Sequence, residues 1–221
     1  DAVVVVTPPR FHKEPVVKAL KAGKHVISEK PMAEDMEECK EMLRAAKAAK
    51  RHYVVSQNYR YGAHMWTLGQ IIRSGRLGQV GQVKLDFFMG VNFGGFRQEM
   101  EYPLIVDMSI HHMDLIRFIT GLDPVMVQGV SWNPMWSHYK HDCSSSVVFE
   151  MNNGARVLYN GSWCSKGGFS DWNGNWQIEC EKGTLVYANG KITLHHAPAA
   201  TLPDLYNVTQ VEEIAPQEPP K

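Results

Sequence analysis

The N-terminal part of the chain alternates short β-branched runs with helical patterns, which restricts the fold more than any other feature. Ala2–Val6 is a continuous apolar run, and His25–Ser28 and Tyr53–Ser56 are further strand-like segments. Between them, His12–Ala22 and Asp35–Lys50 carry apolar residues at helical spacing. The order strand–helix–strand–helix–strand predicts a doubly wound parallel sheet. In such a sheet a run like Ala2–Val6 is buried on both faces.

From residue 58 onward strands follow one another with few helices between them, so we place a domain boundary between residues 57 and 58. Helices are predicted at His64–Ser74 and Asp107–Thr120, and turn signals such as Asn152-Asn153-Gly154 indicate hairpins. The tail from Ala215 to Lys221 is rich in Pro and Glu and is predicted to be loose. The predicted strands are Val80–Met89, Val125–Trp132, Ser145–Met151, Arg156–Trp163, Gln177–Cys180, Thr184–Tyr187 and Lys191–His195.

These patterns together predict an α/β plus α+β fold class. Residues 1–57 would form part of a doubly wound parallel sheet, a Rossmann remnant. Residues 58–221 would form an open, predominantly antiparallel sheet domain with one face available for packing.

Charge and composition narrow the classes of partner. Lys plus Arg and Asp plus Glu both number 23, so the net charge is zero and no basic patch for nucleic acid or an anionic membrane is expected. No apolar run approaches the roughly 18–20 residues that cross a bilayer. The four cysteines have no CxxC spacing, which indicates reduced thiols and a cytoplasmic protein, although their even number leaves disulfides open. A small, weakly charged ligand fits this composition.

Lys30 stands at a position where chemistry is common. Glu29-Lys30-Pro31 follows the strand His25–Ser28, and open α/β sheets place ligands at the carboxyl ends of their strands. A Lys there can polarise a hydroxyl or carbonyl group. The alternative is a solvated loop lysine ahead of a turn that Pro31 stops.

A second candidate cluster lies on the predicted helix that begins at Asp107. Asp107, His111 and Asp114 fall at i, i+4 and i+7, on one helix face. A carboxylate beside a neutral imidazole makes the ring a proton acceptor near neutral pH. Alternatively, Asp107 or Ser109 caps the helix, and a core histidine is satisfied by Asp114. The adjacent His112 leaves open which ring acts, although the spacing from Asp107 favours His111.

Aromatic residues and a His/Cys-rich segment give weaker indications. Aromatic rings suit the C–H faces of sugars, but they also fill sheet cores and oligomer interfaces, the favoured interpretation for most of them. Residues 138–143 contain zinc-ligand types, but no second ligand pair supports them, so no metal is predicted. The aromatic residues are Trp132, Trp136, Trp163, Trp172, Trp176, Tyr102, Tyr139 and Tyr159.

Several motifs in this order resemble the Gfo/Idh/MocA oxidoreductase family. The resemblance runs from Ala2 to about Leu194, and Glu-Lys-Pro combined with the Asp…His…Asp helix is its specific part. The matching stretches are Thr7-Pro8-Pro9 with His12, Ala22-Gly23-Lys24-His25-Val26, Glu29-Lys30-Pro31, Asn58-Tyr59-Arg60-Tyr61, Ser74-Gly75-Arg76-Leu77-Gly78, and Asp107 with His111 and Asp114.

The resemblance implies a Rossmann domain and a second domain whose open sheet forms homo-oligomers. It implies hydride transfer between NAD or NADP and a secondary alcohol of a sugar or cyclic polyol. On the cofactor side, the resemblance implies that Lys30 lies at the nicotinamide and the substrate hydroxyl, that Glu29 and Pro31 shape the turn around Lys30, and that Thr7 and Pro8 line the cofactor. On the substrate side, it implies that His111 is the general acid/base and that Asp107 orients His111 or binds substrate. Arg60 and Asp114 would lie at the substrate site.

One departure from the family pattern concerns cofactor binding. The strand, Gly-rich turn and helix that bind the pyrophosphate in the family are not found in this sequence, so the isolated chain is expected to bind NAD(P) weakly and to be inactive. The chain is therefore expected to be a fragment of an intact enzyme. Two alternatives remain: a naturally truncated, non-catalytic binding or assembly module, and an NAD-dependent glycosidase of the same family.

Overall fold

The computed structural model describes residues 1–168, 170–197 and 210–220. The chain forms two compact units, Asp1–Asn58 and Tyr59–Lys221. Each unit has its own hydrophobic core. Among the described residues, no helix combines the length and apolar character needed to span a bilayer.

The first unit is a small parallel sheet with two helices. Its strands are β1 (Ala2–Val5), β2 (His25–Ser28) and β3 (Tyr53–Val55), in the order β1-β2-β3. Both strand pairs are parallel. The connections are α1 (Lys13–Lys21) and α2 (Met36–Ala49). The predicted strand–helix alternation is confirmed.

Local sequence sets the limits of α2. The Asp35 side chain accepts a hydrogen bond from the Glu38 amide, which satisfies one of the amides left open at the helix start. The helix ends at Lys50, which adopts a left-handed conformation with φ of 51°. Met42, on the inner face of α2, is fully buried in the core of this unit.

Within these 221 residues the first strand has one covered face, so its burial on both faces stays a prediction. The core of the unit lies on one face of the sheet, where Val5 and Val26 pack with α1 and α2. The other face carries Val4, Ile27 and Val54, which are paired across the three strands and exposed.

The second unit is built around an eight-stranded sheet of order β11-β10-β9-β8-β4-β7-β6-β5. The hairpin prediction at Asn152-Asn153-Gly154 is confirmed, since it joins β6 to β7 with Gly154 at φ of 87°. The strands are β4 (Val80–Phe88), β5 (Pro124–Trp132), β6 (Ser144–Met151), β7 (Arg156–Ser162), β8 (Asn175–Cys180), β9 (Gly183–Ala188), β10 (Lys191–His196) and β11 (Val211–Ile214), and the helices are α3 (Ala63–Arg73), α4 (Phe96–Glu99) and α5 (Ile110–Thr120).

The predicted mostly antiparallel character of this sheet is confirmed, with one parallel pair, β4–β7, at its centre. One face packs against α3 and α5, and there Leu85, Tyr159 and Trp176 are buried. Alternation along the strands sends Leu158 and Val148, which face each other across β7 and β6, to the opposite face. That second face is the open side that the sequence predicts.

Two parts of this unit differ from the prediction. The helix expected from Asp107 begins at Leu104, and its first part, Leu104–Ser109, is a π-helical segment that leads into α5. The C-terminal tail is not wholly loose, because β11 precedes it and the Gln217 amide donates to Thr67 Oγ1 at 2.7 Å. Both features depend on contacts distant in sequence, which local composition does not report.

Candidate functional site

His12 connects the two turns that hold the first group of predicted site residues. Its ring is fully buried, with Nε2 2.7 Å from the Thr7 carbonyl oxygen and Nδ1 3.0 Å from the Pro31 carbonyl oxygen. Thr7 and Pro8 follow β1, and Glu29, Lys30 and Pro31 follow β2. The parallel pairing of β1 with β2 therefore brings both turns to the same edge of the sheet.

The turn around Lys30 is defined by backbone contacts. The Glu29 amide donates to the Val5 carbonyl at 2.9 Å, which extends the β1–β2 pairing by one residue. The Lys30 amide is 3.3 Å from Glu29 Oε2, and the Lys30–Pro31 peptide is cis. The five predicted cofactor-side residues, Thr7, Pro8, Glu29, Lys30 and Pro31, thus occupy two adjoining strand-end turns.

Replacing His12 by alanine should destabilise this unit. The substitution removes the buried ring that lies within hydrogen-bond distance of both carbonyl oxygens, donates to one of them and fills the space between the turns. We expect the free energy of unfolding in urea to fall by about 2–4 kcal/mol. His52→Ala, at an exposed histidine of the same unit, is the matched control and should change it by less than about 0.5 kcal/mol. Equal effects of the two substitutions would contradict the role given to His12.

The second group of predicted residues lies where the π-helical segment meets α5. Asp107 is in the π-helical segment, and His111 is in the first turn of α5. Both side chains are almost fully buried. The His111 ring stacks on Tyr59, with ring centroids 4.0 Å apart and an interplanar angle of 12°. Irregular helical turns of this kind are frequent at functional sites.

Each predicted carboxylate forms an ion pair with an arginine. Arg60 binds both carboxylate oxygens of Asp114, at 2.9 Å from Nε and by a shorter contact from Nη2. Arg97 Nε donates to Asp107 Oδ2 at 2.7 Å. Each of these two carboxylates therefore has a guanidinium beside it that balances its charge.

These contacts decide two of the alternatives left open by the sequence. The capping interpretation is wrong: neither Asp107 nor Ser109 makes a side-chain cap, since Asp107 binds Arg97 and Ser109 Oγ is 2.6 Å from Tyr159 Oη. His112 is a core histidine of this helix, and its hydrogen-bond partners do not include Asp114. His112 is fully buried, with Nε2 3.1 Å from the Trp172 carbonyl and Nδ1 3.3 Å from Tyr159 Oη.

The hydrogen bonds of His112 define its protonation. A carbonyl only accepts, so Nε2 carries the proton towards Trp172, and Nδ1 accepts from the Tyr159 hydroxyl, which in turn accepts from Ser109. Burial lowers the pKa of His112 to about 4. His112 is therefore neutral and structural at physiological pH.

This neutral histidine should make the protein less stable in mild acid. Below pH 6.5 the unfolded chain takes up a proton at His112 that the folded chain does not, so unfolding becomes easier as pH falls from 6.5 towards 4. Between pH 7 and about pH 5 the native chain should lose about 2 kcal/mol more stability in urea unfolding than His112→Gln. If the free energy of unfolding changed with pH in the same way in both proteins, the ring of His112 would not titrate as described.

Three important residues were not identified as site residues from the sequence. His12 and Tyr59 belong to motifs on which the family resemblance rests, so these motifs could have identified both residues. No sequence signal pointed to Arg97. This residue lies on α4, ten residues before Asp107, and follows the Gly94-Gly95 pair, whose φ values are 65° and 62°. Burial, with Asp107 and Asp171 nearby, raises the pKa of Tyr59, so this phenol is neutral beside His111.

The residues considered for zinc have other partners. His138 Nε2 is 2.9 Å from the Val91 carbonyl oxygen, and Asp142 accepts from Ser131 Oγ at 2.6 Å. Among the described residues, no group of three or more His, Cys, Asp or Glu side chains is arranged to hold a metal ion. All four cysteines fall in the described ranges and are free thiols.

Known proteins match both units of this chain. Residues 1–57 match the family model described as "Oxidoreductase family, NAD-binding Rossmann fold", and residues 65–186 match the "GFO/IDH/MocA C-terminal domain". An uncharacterised protein from Sinorhizobium fredii is 29% identical over 201 residues, which are 89% of this chain and 56% of that protein. The 1,5-anhydro-D-fructose reductase of Ensifer adhaerens is 31% identical over 136 residues, or 59% of this chain and 41% of the reductase.

A solved structure repeats the fold. An oxidoreductase from Agrobacterium radiobacter, in complex with NAD+, L-tartaric acid and magnesium, superimposes with a TM-score of 0.84 at 21% identity over 98% of this chain and 62% of its own. The chain thus spans between two fifths and two thirds of the length of these three proteins. With the second family model alone covering more than half of its residues, this chain belongs to the GFO/IDH/MocA family.

Proposed function

We propose that the protein containing this sequence is an oxidoreductase that transfers a hydride between NAD or NADP and a secondary alcohol of a sugar or cyclic polyol. The observation that carries the proposal is the placement of His111, buried, stacked on Tyr59 and flanked by two ion-paired carboxylates. Membership of an oxidoreductase family supports it, as does the sugar-reducing relative from Ensifer adhaerens.

In this proposal, residues 1–57 are the C-terminal part of a Rossmann domain, and residues 58–221 bind the substrate and form oligomers.

The predicted site residues have the following roles in this proposal. His111 accepts the hydroxyl proton of the alcohol as the carbon is oxidised, and returns it in reduction. The ammonium group of Lys30 stabilises the negative charge that develops on the substrate oxygen. Asp107 and Asp114, held by Arg97 and Arg60, position substrate hydroxyl groups.

The turns after β1 and β2 fit the nicotinamide end of the cofactor. Thr7, Pro8, Glu29 and Pro31 would line it, and His12 keeps the two turns together. When bound, the cofactor accepts or donates the hydride. The sequence contains no Gly-x-Gly-x-x-Gly turn for the pyrophosphate, so we propose that cofactor affinity is low in the isolated 221 residues.

The test is a screen of sugars and polyols with the gene product that carries this sequence, following absorbance of the reduced nicotinamide with NAD+ and with NADP+. We expect oxidation of at least one sugar or cyclic polyol.

Product analysis with an aryl glycoside covers the second candidate function, since an NAD-dependent glycosidase would release the aglycone without net cofactor reduction. Binding of sugar with neither reaction would instead support a non-catalytic binding module.

We also propose that the protein is a cytoplasmic homo-oligomer that associates through the open face of its eight-stranded sheet. The free thiols support a reducing compartment. Aliphatic Leu158 and Val148 on the open face, and the ion pair of Lys84 with Asp86 there, give the mixed surface typical of such contacts. Light scattering should show a multiple of the protomer mass, and Leu158→Glu should lower it. An unchanged mass would contradict an interface at this face.

A further inference from the structure

Two exposed aromatic rings lie beside the candidate site in the second unit. Phe93 follows β4 and Trp172 precedes β8; their ring centroids are 6.1 Å apart and the rings are inclined by 26°. Phe93 is 52% exposed and Trp172 is 39% exposed. Buried Trp163 supports Phe93 from below in an edge-on contact with centroids 5.8 Å apart. We call Phe93 and Trp172 the aromatic platform.

The platform is connected to the helix that carries His111 by two sets of contacts. On one side, the guanidinium carbon of Arg97 lies 5.2 Å from the centre of the Phe93 ring, while Arg97 Nε binds Asp107. On the other side, the Trp172 carbonyl accepts the hydrogen bond from His112. The platform therefore adjoins the candidate site, with the Arg97–Asp107 ion pair between them.

The chemistry of the platform suits an uncharged, hydroxylated ring. Aromatic faces present an apolar surface against which the C–H face of a sugar packs. Within the described part of the chain, Arg97 uses Nε for its ion pair, which leaves its terminal amino groups to donate to hydroxyl oxygens. Because Asp107 balances the guanidinium charge, a neutral ligand fits this surface better than an anion.

We propose that Phe93, Trp172 and Arg97 form a subsite for a second sugar ring, so that the substrate is a disaccharide or glycoside. This inference rests on the proposed function, which assigns the ring that is oxidised to the surroundings of His111 and Asp107. A single sugar ring bound beside His111 and Asp107 would be separated from the platform by the Arg97–Asp107 ion pair. A second ring, joined to the first by a glycosidic bond, would contact the platform.

Calorimetric titration of the gene product tests the subsite without relying on catalysis. Cellobiose, maltose and lactose are compared with D-glucose and D-galactose. We expect at least one disaccharide to bind about tenfold more tightly than its component monosaccharides. Phe93→Ala and Trp172→Ala should each remove about five- to tenfold of that preference, the size expected for one lost aromatic contact, and should leave monosaccharide affinity unchanged within about twofold.

Two variants keep the test specific. Trp172→Phe retains an aromatic face and should retain the preference, which separates stacking from a general folding defect. Trp132→Ala, at a tryptophan of β5 that is 45% exposed, is the matched control and should leave all affinities unchanged.

The possible outcomes separate this inference from the proposed function. Equal affinity for mono- and disaccharides, no sugar binding, or equal loss for both sugar sizes in the platform variants would overturn the subsite. A disaccharide preference that depends on the platform, in a protein that reduces neither NAD+ nor NADP+ with any sugar, would support the subsite and remove the oxidoreductase proposal.

Discussion

Replacing His111 by glutamine should lower kcat/KM for sugar oxidation by about 10²-fold or more, because the group that we propose as acceptor of the hydroxyl proton is lost. Glutamine retains hydrogen-bonding capacity in this buried position but does not take up a proton near neutral pH. Steady-state rates measured over a range of pH carry the test. We expect kcat/KM of His111→Gln to stay below the native value across this range.

A control is needed because His111 packs on Tyr59. Tyr59→Phe preserves the stacked ring and tests whether packing alone matters. We expect its kcat/KM to remain within about fivefold of the native value, since loss of the phenolic hydroxyl costs at most one hydrogen bond. A His111→Gln protein with near-native turnover across this pH range would exclude His111 as the general base.

Replacing Lys30 by methionine should lower kcat by about 10²-fold, since the ammonium that we propose as stabilising the developing alkoxide is removed while the length of the side chain is kept. The loss should appear in kcat more than in KM, because the charge acts on the transition state. Steady-state kinetics with saturating cofactor separates the two parameters. Lys30→Arg should restore part of the activity, because it keeps the charge with a different geometry.

Lys24→Met is the matched control for Lys30→Met. Lys24 is exposed and immediately precedes β2, whereas Lys30 follows the carboxyl end of the same strand. We expect Lys24→Met to retain native kinetics. If both substitutions had equal effects, the activity would depend on general charge rather than on the strand-end position.

Local sequence signals predicted the elements that local physics determines. The helix predicted over Asp35–Lys50 forms as α2, and the predicted Asn-Gly turn after β6 forms a hairpin because its glycine takes a positive φ. Glu29, Lys30 and Pro31 were placed correctly at a strand end, since that position needs only the order of neighbouring elements.

Features that depend on distant residues were not predictable in the same way. The apolar residues of the π-helical segment from Leu104 to Ser109 have a spacing that also fits an α-helix. Spacing alone therefore indicates an α-helix there. The ion pair of Asp107 with Arg97 has no local signal in the sequence, because Arg97 is placed by a Gly-Gly loop and tertiary packing. The parallel pairing of β4 with β7 likewise joins strands about 75 residues apart.

The chain of hydrogen bonds from Ser109 through Tyr159 and His112 to Trp172 has a spectroscopic consequence. The Ser109, Tyr159 and His112 side chains are buried between α5 and the sheet, so their labile protons reach water only when these layers separate. Their exchange with deuterated solvent should be slow enough to follow by nuclear magnetic resonance. The exchange rate then reports how often the helix that carries His111 lifts from the sheet, independently of any turnover.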